Sequence, residues 1–411
     1  MKLSIRDLDL ACRRVLIRVD FNVPMKEGRV TDDWRIRAAL PTIRYALERH
    51  ATVVLASHLG RPNGRVDRQY SLAPVVSCVS ALLGQRVHFA EDCIGETAKR
   101  AVERAHTAES KVVLLENLRF HPGEEADDPA FARELASLAD RYVNDAFGAV
   151  HRAHASVHRI TQYIPDAAAG LLVERELGCL GRLLKVPDRP FVVILGGAKI
   201  ADKLPVIESL LDRIDRLAVG GAVASTFLKA RGVSVDRSPI GEDVLEAVRT
   251  IDAKAATRRL EIVLPVDHLV ASHLGDDTPI AFDVGDRAIG ERLALDVGPK
   301  TIARFAAAIA DARTVFWNGP VGKFEIPAFA VGTIAVARAV ADVRGLSIAC
   351  GGETIAAVRQ AGVADRVTHL STGGGASLAF LAGRTLPGVE ALAEKPATEP
   401  KTMERPQPQP K

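Results

Sequence analysis

The sequence predicts an α/β fold of two domains, each built on a parallel sheet, joined by a connecting helix and hinge. Three observations carry this. Short β-branched apolar runs recur, separated by longer stretches of helical periodicity, which is the pattern of repeated β/α units. Nearly every run ends in glycine or polar residues. Between two series of runs lies a leucine-rich helical stretch with Leu171, Leu172, Leu177, Leu180, Leu183 and Leu184. Two Rossmann-like halves with a connecting helix between them are the expected architecture.

In the first half the runs are 15–19, 52–56, 112–115 and 142–143; in the second they are 191–195, 217–219, 262–266, 315–317 and 346–349. Between the first two, Ile36, Ala39, Leu40, Ile43 and Leu47 fall on one helical face, with Pro41 expected to kink it. The residues that follow the runs are Asp20 to Asn22, Ser57-His58, Glu116-Asn117, Asn144-Asp145, Gly196-Gly197, Gly220-Gly221, Asp267, Asn318-Gly319 and Gly351-Gly352. One such junction is what any turn requires. A series of them marks the carboxyl ends of strands, where open parallel sheets bind ligands, so one binding edge per half is expected. The domains are expected at 1–165 and 166–377. From 394 to 411 the chain turns to Pro, Glu, Lys and Gln, the composition of a disordered tail.

At 411 residues the chain exceeds a single core. Apolar residues at 47% and charged residues at 26% are the balance of a soluble globular protein. The net charge of +3 is too small to predict a nucleic acid partner. Five widely spaced cysteines, an odd number without a CxxC, indicate neither a disulfide framework nor a zinc site. A reducing cytoplasm is expected. No stretch reaches the ~18 apolar residues of a membrane span, and the N-terminal residues lack an export signal.

Basic residues gather after strand ends or at helix starts in the first half: Arg35, His58, Arg61, Arg119, His121, His151, Arg152 and His154. Several arginine forks converging from separate loops suit a small polyanion. Asp20, Asn22 and Asn117 add groups for hydroxyls. The segments Arg18-Val-Asp-Phe-Asn-Val-Pro24, Ser57-His-Leu-Gly-Arg-Pro62, Leu115-Glu-Asn-Leu-Arg-Phe-His121 and Asp145-Ala-Phe-Gly-Ala-Val-His-Arg-Ala-His-Ala-Ser156 closely resemble the signatures of the phosphoglycerate kinase family, in the family's order. The resemblance implies that Asp20, Asn22, Arg35, His58, Arg61, Arg119 and Arg152 hold 3-phosphoglycerate. It also places Arg35 at the transferring phosphoryl group.

In the second half Gly196-Gly-Ala-Lys-Ile-Ala-Asp-Lys203 follows a run and is expected to open a helix, with Lys199 and Lys203 on one face. Gly319-Pro-Val-Gly322-Lys323 has neither the spacing nor the Ser/Thr of a Walker loop, and the G-x-G-x-x-G fingerprint of dehydrogenases is missing from both halves. Further segments resemble the family: 220–228, 264–267, 296–300, 317–325, 351–354 and 371–377. The resemblance spans about residues 3 to 392. It implies a nucleotide site of Gly197, Lys199, Lys203, Gly220, Gly221, Asn318, Glu325, Gly352, Glu353 and Thr354, with Glu353 serving Mg²⁺ and Gly373 to Gly375 forming an anion nest. Arg35, Lys199, Lys203, Gly351 and Gly374 form the implied catalytic set. Residues 378–393 are expected to pack back on the first domain.

The implied reaction is reversible phosphoryl transfer between 1,3-bisphosphoglycerate and ADP, giving 3-phosphoglycerate and ATP, in a monomer that closes on its substrates and has neither nucleic acid nor membrane as partner. Three positions depart from the family's pattern: Glu353 stands where Asp is usual, Lys323 where an apolar residue is usual, and Ala379 where an acidic residue is usual. The first two motivate one rival expectation, a paralogue that binds nucleotide with weak or no catalysis.

Overall fold

The computed structural model describes residues 2–235, 237–285 and 292–395. The first half contributes β1 (Arg14–Arg18), a small ribbon of β2 (Met25–Lys26) and β3 (Arg29–Val30), then β4 (Thr52–Ala56), β5 (His88–Ala90), β6 (Val112–Leu115), β7 (Arg141–Asn144) and β8 (Ala167–Ala169). The second half contributes β9 (Phe191–Leu195), β10 (Arg216–Val219), β11 (Glu261–Val263), β12 (Asp267–Ala271), β13 (Ile280–Asp283), β14 (Leu293–Val297), β15 (Thr314–Asn318), β16 (Leu346–Cys350) and β17 (His369–Ser371). Two six-stranded parallel sheets result, in the orders β5-β6-β4-β1-β7-β8 and β11-β10-β9-β15-β16-β17. Helices cover both faces, so β4, β6, β9, β15 and β16 are buried along their whole length.

The second sheet grows from β9 first to one side and then, from β15, to the other. That reversal opens a crevice at the carboxyl ends of β9 and β15. The first sheet reverses in the same way about β1, with β4 on one side and β7 on the other, although β6 inserts between β4 and β5. Each half therefore has the topological reversal at which a binding edge is expected.

The structure corrects several boundaries. The run read as 262–266 stops at Val263, ahead of Pro265, and Asp267 begins β12 of an antiparallel three-stranded layer rather than closing a strand. Helix Trp34–Leu47 continues through Pro41, which is exposed. The connecting helix is Leu171–Leu184, and its N-terminus is capped by Asp145, whose Oδ1 accepts from Leu172 N at 2.9 Å. A Cβ at Gly170 would strike that carboxylate, so glycine is needed there. Because β8 pairs with β7, the first sheet runs to Ala169, past the 165/166 division.

Each half has an apolar cluster of its own, and a third is shared between them. The shared cluster runs from Leu16, Phe147 and Val150 through Val173, Leu180 and Leu183 of the connecting helix to Phe191, Leu204 and Phe227. The chain then returns to the first half: Gly388 N donates to Val150 O (2.9 Å), Ala393 N to Ala167 O (2.9 Å), and Leu3 N to Ala393 O (2.7 Å). Lys395 Nζ reaches Asp7 Oδ2 at 2.9 Å, and Glu394 pairs with Lys2. Residues 394 and 395 are thus docked rather than part of a tail, and residues 396–411 of the expected tail lie outside the described residues.

Candidate active site

In the first half the basic residues assemble beyond the carboxyl ends of β1, β4, β6 and β7. Arg35, from helix Trp34–Leu47, donates through Nη1 to Asp20 Oδ2 (3.0 Å) and to the Asn22 carbonyl (3.3 Å). Asn22 Oδ1 accepts from Gly60 N at 3.0 Å, tying two of the loops together. Arg119 is 4% exposed; its Nη1 donates to Gly60 O at 2.8 Å, while its Nε lies 3.0 Å from Glu125 Oε1 at an angle too poor for a hydrogen bond. Arg152 Nε donates to His151 Nε2 at 3.3 Å. Arg61 is exposed, with no ion pair or hydrogen bond among the described residues.

Two residues beneath this cluster escaped sequence reasoning as site residues. Arg18, at the end of β1, is fully buried: its Nε donates to Ser156 Oγ (2.8 Å), and its Nη2 meets His58 Nδ1 (3.1 Å). Glu124 is also fully buried, accepts from Ser156 N (2.9 Å) and Oγ (2.6 Å), and lies 3.9 Å from Arg18 Nη2. The available signal was an arginine directly after the apolar run Val15 to Ile17, at the buried end of β1. A charge there must be paired.

Burial, followed by repulsion from Arg18 and Arg119, holds His58 well below the usual histidine range. Burial, then Arg119 and Arg18, brings His154 down to about 3. Both rings are neutral and offer nitrogens to a ligand without adding charge. A histidine depressed in the folded state contributes fully above its unfolded value of about 6.5, and that contribution is lost as pH falls towards the folded value. Stability through His154 should therefore decline between pH 6.5 and about 3. In urea denaturation at pH 7 and at pH 5, His154→Gln is expected to lose less stability on acidification than the parent. An equal loss in both proteins would remove His154 as a source.

In the second half the expected helix at 196–203 is instead a loop, and the helix starts at Leu204. Pro205 falls in the first turn of that helix, where its missing N–H costs no intrahelical bond. Lys199 and Lys203 consequently share no helix face. They still meet, because Lys203 Nζ donates to the Lys199 carbonyl at 3.1 Å. Lys203 is 6% exposed, and burial lowers its ammonium pKa against the opposing pull of Asp202 and Glu353.

Helices Gly221–Ala230, Gly352–Gln360 and Gly375–Leu381 follow β10, β16 and β17 and begin after Gly220, Gly351 and Gly374. None of the three has a side-chain cap. Their first N–H groups and dipoles suit phosphate oxygens. The loops between them interlock: a Cβ at Gly319 (φ +92) would run into the Gly196 carbonyl. Asn318 Nδ2 donates to Cys350 O (2.8 Å), and Thr354 Oγ1 accepts from Gly319 N (2.7 Å). Thr354 is buried, so its hydroxyl fixes the loop rather than facing a ligand.

A cavity of about 370 Å³ opens beside these loops, with Gly197 and Gly221 at one end and Lys323, Glu325 and Glu353 around it. Leu295, Val297 and Val321 supply an apolar wall that suits a flat heterocycle. Gly352 and Glu353 are exposed at the helix start. Towards the first half, Gly148 sits between Asp20 and the Thr372 carbonyl, and a Cβ at Gly375 would lie 3.7 Å from His151 Nε2. The glycine loop thus approaches the basic cluster. A larger groove of about 800 Å³ lies elsewhere between the halves, lined by Trp34, Arg37 and Leu171 from one and Asp365, Arg366 and Thr368 from the other. None of the implied site residues lines it.

Beside this geometry, a basic cluster in one half and glycine-led helix starts with an apolar-walled cavity in the other, comparison finds that the family model for phosphoglycerate kinase matches residues 5–384. The chain belongs to the phosphoglycerate kinase family. A phosphoglycerate kinase of Acidobacterium capsulatum is 53% identical over 404 residues, covering 96% of this chain and 100% of the relative. One from Moorella thermoacetica is 52% identical over 394 residues, with the same coverage. Among solved structures, phosphoglycerate kinase from Coxiella burnetii is 40% identical with a TM-score of 0.82, and that from Pyrococcus horikoshii OT3 is 33% identical with 0.84. Each covers 95% of this chain and 98% of its own.

The three departures from the family's pattern fall at different places. Glu353 and Lys323 border the nucleotide-sized cavity. Ala379 is half-buried against the apolar cluster that the two halves share. No observation favours the binding-only alternative.

Proposed function

We propose that the chain transfers the acyl phosphate of 1,3-bisphosphoglycerate to ADP, giving 3-phosphoglycerate and ATP, and runs the reverse reaction. The observation that carries this reading is the pairing of a basic cluster, gathered from several loops beyond the strand ends, with uncapped glycine-led helix starts in the other half. Asp20, Asn22, Arg35, His58, Arg61, Arg119 and Arg152 hold the phosphorylated acid. Gly197, Lys199, Lys203, Gly220, Gly221, Asn318, Glu325, Gly352, Glu353 and Thr354 hold or shape the nucleotide site.

A bond from phosphorus to the acyl oxygen breaks as one to the β-phosphate oxygen of ADP forms. No proton need move. The departing carboxylate belongs to an acid of pKa about 3.5 to 4 and is ionised at neutral pH. The chain's work is to align the reactants and to spread charge over Arg35, Lys199, Lys203 and the N–H groups at Gly351 and Gly374. Glu353, exposed in the first helical turn and bordering the cavity, fits the one carboxylate that Mg²⁺ usually takes beside phosphates and water. When bound, Mg²⁺ would offset phosphate charge.

The ligands bind on different halves, so closure about the connecting helix brings them together. A monomer in the cytoplasm completes the reading. Among the described residues no helix is long and apolar enough to cross a membrane. The test is ATP- and Mg²⁺-dependent phosphorylation of 3-phosphoglycerate by the purified chain. Turnover that needs all three is expected. Nucleotide binding without turnover would overturn the proposal.

A further inference from the structure

His121 belongs to the basic group read from the sequence, yet its ring is aimed elsewhere. Nε2 lies 2.7 Å from Asp92 Oδ1, and the ring packs beside Phe131 with centroids 5.5 Å apart. The sulfur of Cys93 completes a set of three donor atoms, all within 4.8 Å of one another. Cys93 is fully buried, whereas the side chains of Asp92 and His121 are 42% and 30% exposed. The sulfur is thus the floor of a small site, and the carboxylate and imidazole are its mouth. Sequence spacing did not reveal the set, because two donors precede helix Gly95–Thr107 and the third follows the turn Leu118–Phe120.

We propose that Asp92, Cys93 and His121 bind one borderline-soft divalent transition ion of the Zn²⁺ or Co²⁺ class, with water as the fourth ligand. One sulfur, one imidazole nitrogen and one carboxylate oxygen are the donors such ions take in tetrahedral sites; Mg²⁺, which prefers oxygen alone, is disfavoured. Metal bonds of about 2.0 to 2.3 Å put tetrahedral donors roughly 3.3 to 3.8 Å apart, so the Asp92–His121 pair, at 2.7 Å, must open by about 0.6 Å while a donor pair near 4.8 Å closes by about 1 Å. The partly exposed Asp92 and His121 can rotate towards the fixed sulfur. Cys93 N donates to Asp92 Oδ1 at 2.7 Å, which already orients that carboxylate. Binding replaces the S–H bond of Cys93 by a metal–sulfur bond and releases the proton to solvent. The occupied site would brace the turn that carries Arg119 beneath the basic cluster.

Co²⁺ titration of the full chain tests this. A near-ultraviolet thiolate-to-cobalt band should grow to one equivalent, with the visible absorption of tetrahedral cobalt. Cys93→Ser should abolish the near-ultraviolet band, and His121→Gln should weaken Co²⁺ binding at least tenfold. No band in the parent at cobalt concentrations far above that of the protein would overturn the proposal. So would a band that survives Cys93→Ser, since another cysteine would then be the donor. If Cys93→Ser does not fold, Asp92→Asn combined with His121→Gln decides instead: these side chains are partly exposed, and an unchanged Co²⁺ affinity in that variant rejects the site.

Discussion

Arg35→Ala is expected to lower kcat for phosphorylation of 3-phosphoglycerate by about 10² to 10³, roughly 3 to 4 kcal/mol of transition-state stabilisation. Arg35 uses Nη1 on Asp20 and on the Asn22 carbonyl, and its side chain is 30% exposed. The rest of its guanidinium fork remains for a ligand. Folding should survive, because the Arg35 side chain sits at the rim and Asp20 Oδ1 still accepts from Asn22 N. Arg35→Lys separates two explanations: it keeps the charge and loses the fork, so an intermediate rate is expected if geometry matters beyond charge. Steady-state kinetics with circular dichroism as a folding control provide the measurement. An alanine variant with near-parental turnover would take Arg35 out of the mechanism.

Glu124→Ala is expected to destabilise the first half by about 3 to 5 kcal/mol, the usual cost of leaving a buried charge without its partner. Arg18 and Glu124 are both fully buried, and Ser156 bridges them, donating to the carboxylate while accepting from Arg18 Nε. Removing the carboxylate strands the guanidinium between Ser156 and a neutral His58. It also leaves Ser156 N without an acceptor. Glu124→Gln keeps an acceptor of similar shape and should cost less, which separates hydrogen bonding from charge. Denaturant unfolding followed by fluorescence and circular dichroism would measure both. A loss under about 1 kcal/mol for the alanine variant would mean that the pair is not what holds this floor together.

Much of the architecture was legible because parallel strands announce themselves: β4, β6, β9, β15 and β16 are largely apolar runs, and the polar residues after them mark the carboxyl ends of the strands. Strands without that signature were missed. β8 is three alanines, β5 is three residues at a sheet edge, and β13 is largely exposed, so none shows a run or a clean alternation. In the site, the arginines and histidines stood out by their place after strand ends. The partnership of Arg18 with Glu124 did not, because it joins β1 to a distant short helix. Lys199 and Lys203 were expected on a helix opened by their segment, with Pro205 in its first turn, whereas the helix begins only at Leu204. His121 read as one more cation of the cluster; only the fold shows it turned towards Asp92 and Cys93.

The bonds from Ala393 to Leu3 and Ala167 bear on the protein's birth. On the ribosome the second half can close its sheet as soon as β17 has emerged, since β9 to β17 are contiguous in the chain. The first half cannot finish then. Its lower edge waits for residue 393, so the part made first is completed last, with the connecting helix already holding the later half in place.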